Sequence, residues 1–400
     1  MKKFLCCLLA LMFVMTGCKD SASSKKLYDT ILENNNIGIV REPSAADYSL
    51  MNPGILTELP CPKQDMGIEL RSSDLTMLDL RNSLDDLFHS TFDSKTKWPV
   101  KLPAEFDPKA VMELGKNPGL NVKKLHEIGI TGKGVGIAII DSCLLVNHIE
   151  YKDQLKMYEE IQCRDIEAEM HGPAVASIAV GETVGVAPEA DLYYIACKFG
   201  ERIENNQFEH NLTWVAQSID RIVEVNKLLP KDKKIRVISI SLGINSKMKG
   251  YQQVVKSIAD AKHEKIYTVH VESNKFLGLG REPLLSADEI ASYTKAEHWK
   301  HDEFSKNTLW IPMDSRCTAS PTGDKDYVFY SKGGLSWSVP YVAGLYALAC
   351  QVKPDIIPEL FWLEAFETSD SLLNKEGVLT AKIVNPGKLI DNVSKLQLGK

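Results

Sequence analysis

The sequence lacks a surplus of basic residues: Lys+Arg number 47 against Asp+Glu 53, a net charge of −6 over 400 residues. That balance excludes a protein that holds nucleic acid by neutralising phosphates along a basic face. Cysteine is scarce, nine in all, so the core comes from apolar burial and not from a disulfide framework. No Cys-x-x-Cys pair occurs, which removes the spacing of a zinc or redox motif. The ordinary globular composition excludes a multi-span membrane chain, and the apolar run Phe4–Met15 falls short of the roughly 20 residues that cross a bilayer. There is no internal repeat. What is present is an ordinary globular mixture, 44% hydrophobic and 25% charged. Its length allows two or three domains, or one large domain with an N-terminal extension.

The first eighteen residues bear on compartment. Lys2 and Lys3 precede the apolar run Phe4–Met15, followed by Thr16-Gly17-Cys18. A basic start, a short apolar centre and small residues before a cut site read as a secretory signal. Met15-Thr16-Gly17-Cys18 resembles the lipobox of bacterial lipoproteins. The resemblance implies removal of residues 1–17, lipidation of Cys18, and a protein held on the extracytoplasmic side of the membrane. Each buried CH₂ of an acyl chain contributes about 0.8 kcal/mol to such anchoring. Ser21 to Ser24 with Lys25 and Lys26 then read as a solvated tether. Cys61, Cys143, Cys163, Cys197, Cys317 and Cys350 remain, and their pairing is open.

From Gly132 onward, strands and helices alternate. Val135 to Ile140 is apolar but for Gly136 and ends at Asp141; Leu192–Cys197, Val237–Leu242 and Ile266–Val271 repeat the pattern. Such runs fit strands buried on both faces of a parallel sheet. Between them, Leu212–Leu229 places Val215, Ile219, Ile222 and Val223 on one helical face, and Val254, Val255, Ile258 and Ala261 do the same. The expected fold is therefore α/β, a parallel sheet with helices on both faces. Lys231 to Lys234 reads as a solvated loop between helix and strand. Residues 27–100 carry no comparable periodicity. Gly132-Lys133-Gly134-Val135-Gly136 looks like a dinucleotide-binding loop, but it precedes its strand, where no helix N-terminus meets phosphate.

Three segments carry chemistry. Asp141 ends a buried strand at the carboxyl edge of the sheet, where ligands of open α/β folds bind. His171-Gly172-Pro173 opens a small-residue helix, with Pro in its first turn. Gly334-Leu335-Ser336 precedes the apolar stretch Trp337–Gly344 and puts a hydroxyl at a helix N-terminus, where aligned N–H groups favour developing negative charge. Singly, each has a plainer reading as a turn or cap residue. Together, Asp, then His, then a distant Ser is the chain order of subtilisin.

On these residues the chain resembles the subtilases, subtilisin-like serine peptidases. Asp141-Ser142 matches their Asp motif with Cys143 replacing Gly. His171-Gly172-Pro173-Ala174-Val175-Ala176 matches their His motif with Pro173 replacing Thr. Gly334 to Gly344 matches their Ser motif with Leu335 replacing Thr. Gly185-Val186-Ala187-Pro188 and Ser239-Ile240-Ser241-Leu242-Gly243 also resemble family segments. The likeness spans about residues 120–370. It implies a serine endopeptidase acting through Asp141, His171 and Ser336, with Asn274 as oxyanion donor. Ser336 is chosen over Ser338 because it sits two residues after Gly334 and four before Pro340. Ser241, Leu242 and Gly243 would line the bound peptide, and Glu272 would border the pocket before the cut and favour a basic residue.

The expected organisation is a signal peptide at 1–17, a tether and N-terminal extension or propeptide at 18–100, and a subtilisin-like catalytic domain at 101–400. The expected partners are a peptide or protein substrate and, through Cys18, the membrane; nucleic acid is not expected. No cofactor is expected: many relatives bind calcium, but no acidic segment here matches such a site, and no metal ligands are assigned. Two rival readings stand beside the enzyme. One is a catalytically degenerate lipoprotein of this fold that grips peptides along Ser239–Gly243 by strand addition. The other is a cysteine nucleophile at Cys143, set against a plainer role for Cys143 as a buried small residue or a disulfide partner of Cys163.

Overall fold

In a computed structural model, residues 37–48, 54–62, 67–273, 275–296, 308–373 and 379–396 are described, all within the unit Ile37–Lys400. Cys18 and Asn274 lie outside the described residues. The run ending at Asp141 forms the strand Gly136–Asp141, buried along its whole length. It is the middle of a five-stranded, all-parallel sheet ordered Leu155–Ile161, Asp191–Cys197, Gly136–Asp141, Ile235–Ile240, Tyr267–His270. Its register sets Gly136 opposite Asp191 and Asp141 opposite Ala196.

Period-two alternation explains the two covered faces. Ala138 and Ile140 pack with Ile238 and Ile240 against Leu212, Val215, Ile219 and Ile222 of the helix Leu212–Leu228. The alternate residues face the layer that holds the helices His171–Val180 and Leu335–Val352. Each fully buried Ile or Leu contributes roughly 1.5–3 kcal/mol, so this double burial specifies the sheet strongly. The helix Leu335–Val352 is buried from Trp337 to Cys350, as its uncharged sequence allows. It touches both the strand Ile235–Ile240 and the strand Leu309–Pro312.

Several expectations shift. The strand expected at Val237–Leu242 runs Ile235–Ile240. Val255 faces outward on the helix Tyr251–His263 while Val254 and Ala261 are buried. The edge strand Leu155–Ile161 escapes its sequence because Glu159 and Glu160 interrupt the apolar pattern. Both carboxylates are buried in ion pairs. Arg221 grips Glu159 through two bonds of 2.9 and 2.8 Å, and Arg41 Nε donates to Glu160 at 2.8 Å. The loop at Gly132 receives no phosphate-like arrangement; the N–H groups of Thr131 and Gly132 donate to Gln351 Oε1 at 2.8 and 2.7 Å.

A second, mixed sheet joins Tyr293–Lys295, Phe276–Arg281, Leu309–Pro312, Leu379–Ile383 and Asp370–Leu373 in that order. A third begins with N-terminal residues. Ile68–Glu69 runs parallel to Ser90–Asp93, which pairs antiparallel with Tyr327–Tyr330, and that strand pairs with Arg316–Ala319. Ile68, Leu70, Leu75, Leu87 and Phe92 share one core with Phe329 and Val111. The ring of Phe92 meets Trp98 edge-on at 5.0 Å and Phe329 at 5.2 Å.

Candidate active site

Asp141 is the last residue of the central strand and is 1% exposed. Its Oδ1 accepts the N–H of Ser142 at 2.8 Å and faces His171 Nδ1 at 2.7 Å. An ionised carboxylate only accepts, so Nδ1 carries the proton and Nε2 keeps a free lone pair. Burial by itself lowers the basicity of the imidazole. The charge of Asp141, its hydrogen bond and the nearby Glu169 outweigh that, and the His171 pKa ends above its ordinary value.

His171 begins the helix His171–Val180, and that helix is tied to the Asp141 turn. Gly172 N–H donates to Ser142 Oγ at 3.0 Å, and Tyr194 donates its hydroxyl to the Ser142 carbonyl at 2.6 Å. A Cβ on Gly172 would lie 2.6 Å from that carbonyl and 2.6 Å from the Tyr194 oxygen. Only glycine lets the helix come this close. Ser142 is a supporting residue that the sequence motif did not single out.

Ser336 is the second residue of the helix Leu335–Val352, directly after the extended Gly334. Its hydroxyl donates to the Ser241 carbonyl at 3.4 Å, and Ser241 Oγ donates back to the Ser336 carbonyl at 2.9 Å. Ser338 is different: it is buried and donates to the Pro312 carbonyl at 3.3 Å, a structural role. His171 and Ser336 line one cavity of about 220 Å³, together with Trp337, whose ring centroid lies 5.2 Å from the imidazole. The structure therefore brings Asp141 against His171, and His171 and Ser336 to one cavity.

Leu242 and Gly243 follow the strand end, and Leu242 accepts the Val271 N–H through its carbonyl at 3.3 Å. Glu272 is exposed, and its Oε1 sits 3.1 Å from where a Gly243 Cβ would stand. Cys143 is fully buried, with Sγ 3.7 Å from the Cys163 carbonyl, and does not line the cavity. Its hydrogen bond with Cys143, then burial, push the Cys163 thiol pKa far up. Both are free thiols, so the disulfide alternative is not formed, and the Cys143 sulfur is buried away from the cavity that His171 lines. Among the described residues no group of three or more His, Cys, Asp or Glu is arranged to hold a metal, and no helix is long and apolar enough to cross a membrane.

The remaining walls of the cavity come from residues without a catalytic motif: Glu69 and Arg71 from the N-terminal strand region, and Tyr330 and Lys332 before the serine. A signal for the first pair exists in Ile68-Glu69-Leu70-Arg71, whose apolar–charged alternation marks a strand with both charges on one face.

Residues 132–276 match the model of the Subtilase family, a span that contains Asp141 and His171 and ends before Ser336. Among solved structures the chain is similar to the prenylagaramide maturation protease PagA, at 15% identity, with a TM-score of 0.47, over 68% of this chain and 98% of that one. The family match supports a serine-type peptidase.

Proposed function

We propose that the protein is a serine endopeptidase of subtilisin type, in which Ser336 is acylated by a peptide carbonyl, His171 moves the proton and Asp141 orients the imidazole. The observation that carries this reading is the 2.7 Å contact between His171 Nδ1 and the buried Asp141 carboxylate, in a cavity that Ser336 also lines. His171 Nε2 takes the Ser336 proton as the Oγ–carbon bond forms. The same proton then goes to the leaving nitrogen as the peptide C–N bond breaks. Water next attacks the ester, with His171 again as base, and releases the new carboxyl terminus. Rotation about the Ser336 Cα–Cβ bond moves the hydroxyl from Ser241 toward the imidazole; such bonds are often loose before substrate arrives.

Two oxyanion donors complete the proposal: the Ser336 N–H at the helix start, and the amide of Asn274. One such side-chain donor supplies about 3 kcal/mol. Ser241, Leu242 and Gly243 hold the acyl side of the peptide by strand addition. We further propose that Cys18 carries a lipid that keeps the enzyme on the outer side of the cytoplasmic membrane, which N-terminal mass analysis of the mature protein checks directly.

A fluorophosphonate probe tests the chemistry. The expected result is an adduct on Ser336, absent in Ser336→Ala and strongly reduced in His171→Ala. A folded protein that binds peptide along Ser239–Gly243 yet gives no adduct overturns the enzyme and supports the peptide-binding lipoprotein instead.

A further inference from the structure

Glu69, Arg71 and Thr91 of the N-terminal segment line the same cavity as His171 and Ser336. We infer that residues 67–93 are a permanent part of the mature enzyme, and that Glu69, Arg71 and Lys332 build a subsite for a carboxylate on the leaving side of the peptide. This rests on the peptidase reading above.

The first half follows from packing. Phe92, Leu70 and Leu87 are fully buried in the core they share with Phe329 and Val111, and Phe92 pairs with Phe329 in the sheet. Asp93, also buried, accepts the N–H and hydroxyl of Ser72 at 2.8 Å each, the Lys95 N–H at 3.0 Å and the Thr96 hydroxyl at 3.1 Å. A removable propeptide leaves a finished surface behind. Here removal would uncover Phe329 and strip a strand from its sheet, an edge that invites aggregation.

The second half follows from position and charge. Ser336 has two flanks. On one, its hydroxyl meets the Ser241 carbonyl, ahead of Gly243 and Glu272. On the other lies the 220 Å³ cavity, lined by Glu69, Arg71, Tyr330 and Lys332 but by none of residues 241–243. If the first flank holds the acyl part, the cavity receives what departs.

Arg71 grips Glu69 through Nε at 2.8 Å and Nη2 at 2.6 Å, while Nη1 faces the Tyr330 hydroxyl at 3.4 Å. Its guanidinium also lies 5.1 Å from the Tyr48 ring centroid. This pair is neutral together and held in place. Lys332 adds one positive charge beside Ser336, so the side chains lining the cavity, Glu69, Arg71 and Lys332, sum to +1 when His171 is neutral, with the Asp141 carboxylate standing behind His171 outside the lining. A carboxylate on the departing segment fits that charge. It can be an acidic side chain after the cut or the chain's own C-terminus.

Acyl transfer separates the two sources. The full-length enzyme, acylated with a peptide ester, is offered aspartyl amide, leucyl amide, lysyl amide and free alanine, and the partition between aminolysis and hydrolysis is measured. Active sites are counted by fluorophosphonate. Expected is about tenfold higher transfer to aspartyl amide than to lysyl amide, with free alanine favoured instead if the C-terminal carboxylate is the ligand. Lys332→Glu reverses the order, and Arg71→Lys narrows it. Labelled enzyme with equal transfer to every acceptor overturns the subsite while leaving the peptidase standing. Enzyme that labels at Ser336 but begins after residue 93 overturns the permanent wall. Absence of any label is the separate failure of the peptidase reading.

Discussion

The two halves of the proposed site are held in different ways. The Asp141–His171 half is braced by direct contacts: a 2.7 Å ion-pair hydrogen bond, a Gly172 N–H on Ser142, and a Tyr194 hydroxyl on the same turn. The Ser336 half rests on its helix and on a reciprocal pair of bonds with Ser241, one of them as long as 3.4 Å. The base is thus pre-positioned before substrate arrives, and the nucleophile is left to rotate. A pre-set base costs no reorganisation at the moment of reaction, and a hydroxyl parked on a carbonyl is not spent on water.

Ser336→Ala breaks the comparison most completely. Peptide hydrolysis is expected to fall on the order of 10⁶-fold with the fold intact by circular dichroism, since members of a triad act as a unit. Asp141→Asn attacks the braced half and is expected to cost roughly 10⁴-fold in kcat. It also moves the acid limb of the kcat/KM profile to lower pH, because the charge of Asp141 no longer offsets burial at His171 and only the smaller effect of Glu169 remains. The sign for stability runs opposite to that for activity. With the folded pKa raised, the His171–Asp141 stabilisation is complete below the usual histidine value of about 6.5 and is lost as pH climbs through the raised value. Activity appears across that same interval, and the asparagine variant should lose this pH dependence of melting.

Gly172→Ala forces a methyl into the Ser142 and Tyr194 oxygens. About 1–3 kcal/mol of stability and roughly 10²-fold in rate are expected to go, read by thermal melting and kcat. Ser142→Ala removes one bond of the brace and is expected to cost about 1 kcal/mol, up to tenfold in kcat, with KM unchanged. Glu272→Gln, on the loosely held flank, gives the smallest change. An exposed carboxylate is worth about 0.2–1 kcal/mol to a basic residue, so the preference for Arg over Gln before the cut should fall only a few-fold.

The braced half was also the half most open to sequence reading. Asp141 stands out because a doubly buried strand tolerates no carboxylate until it ends, and His171 because small residues follow it where a helix must pack closely. Ser336 follows from the spacing around Gly334 and Pro340. The strand Leu155–Ile161 stayed hidden because its two glutamates are neutralised by Arg41 and Arg221, one about 120 and the other about 60 residues away. Buried acids also do not all signal chemistry. Glu150 accepts Thr183 Oγ1 and the Tyr327 hydroxyl at 2.5 Å each, and the N–H groups of Thr183 and Val184, so every lone pair is engaged in tying loops together. The Glu69–Arg71 wall left only the short alternation Ile68-Glu69-Leu70-Arg71 as a signal, because its strand is two residues long and pairs with Ser90–Asp93, whose other partner, Tyr327–Tyr330, is distant in sequence.

That last pairing has a consequence for how the protein comes into being. Phe92 and Phe329 are neighbours in space, yet more than four-fifths of the chain must emerge before they can meet. Closing so long a loop is slow compared with forming local helices. Ser336, the proposed nucleophile, arrives only after the strand Tyr327–Tyr330. Synthesis order therefore acts as a timer: a half-made chain lacks residue 336 and so cannot hold the proposed nucleophile.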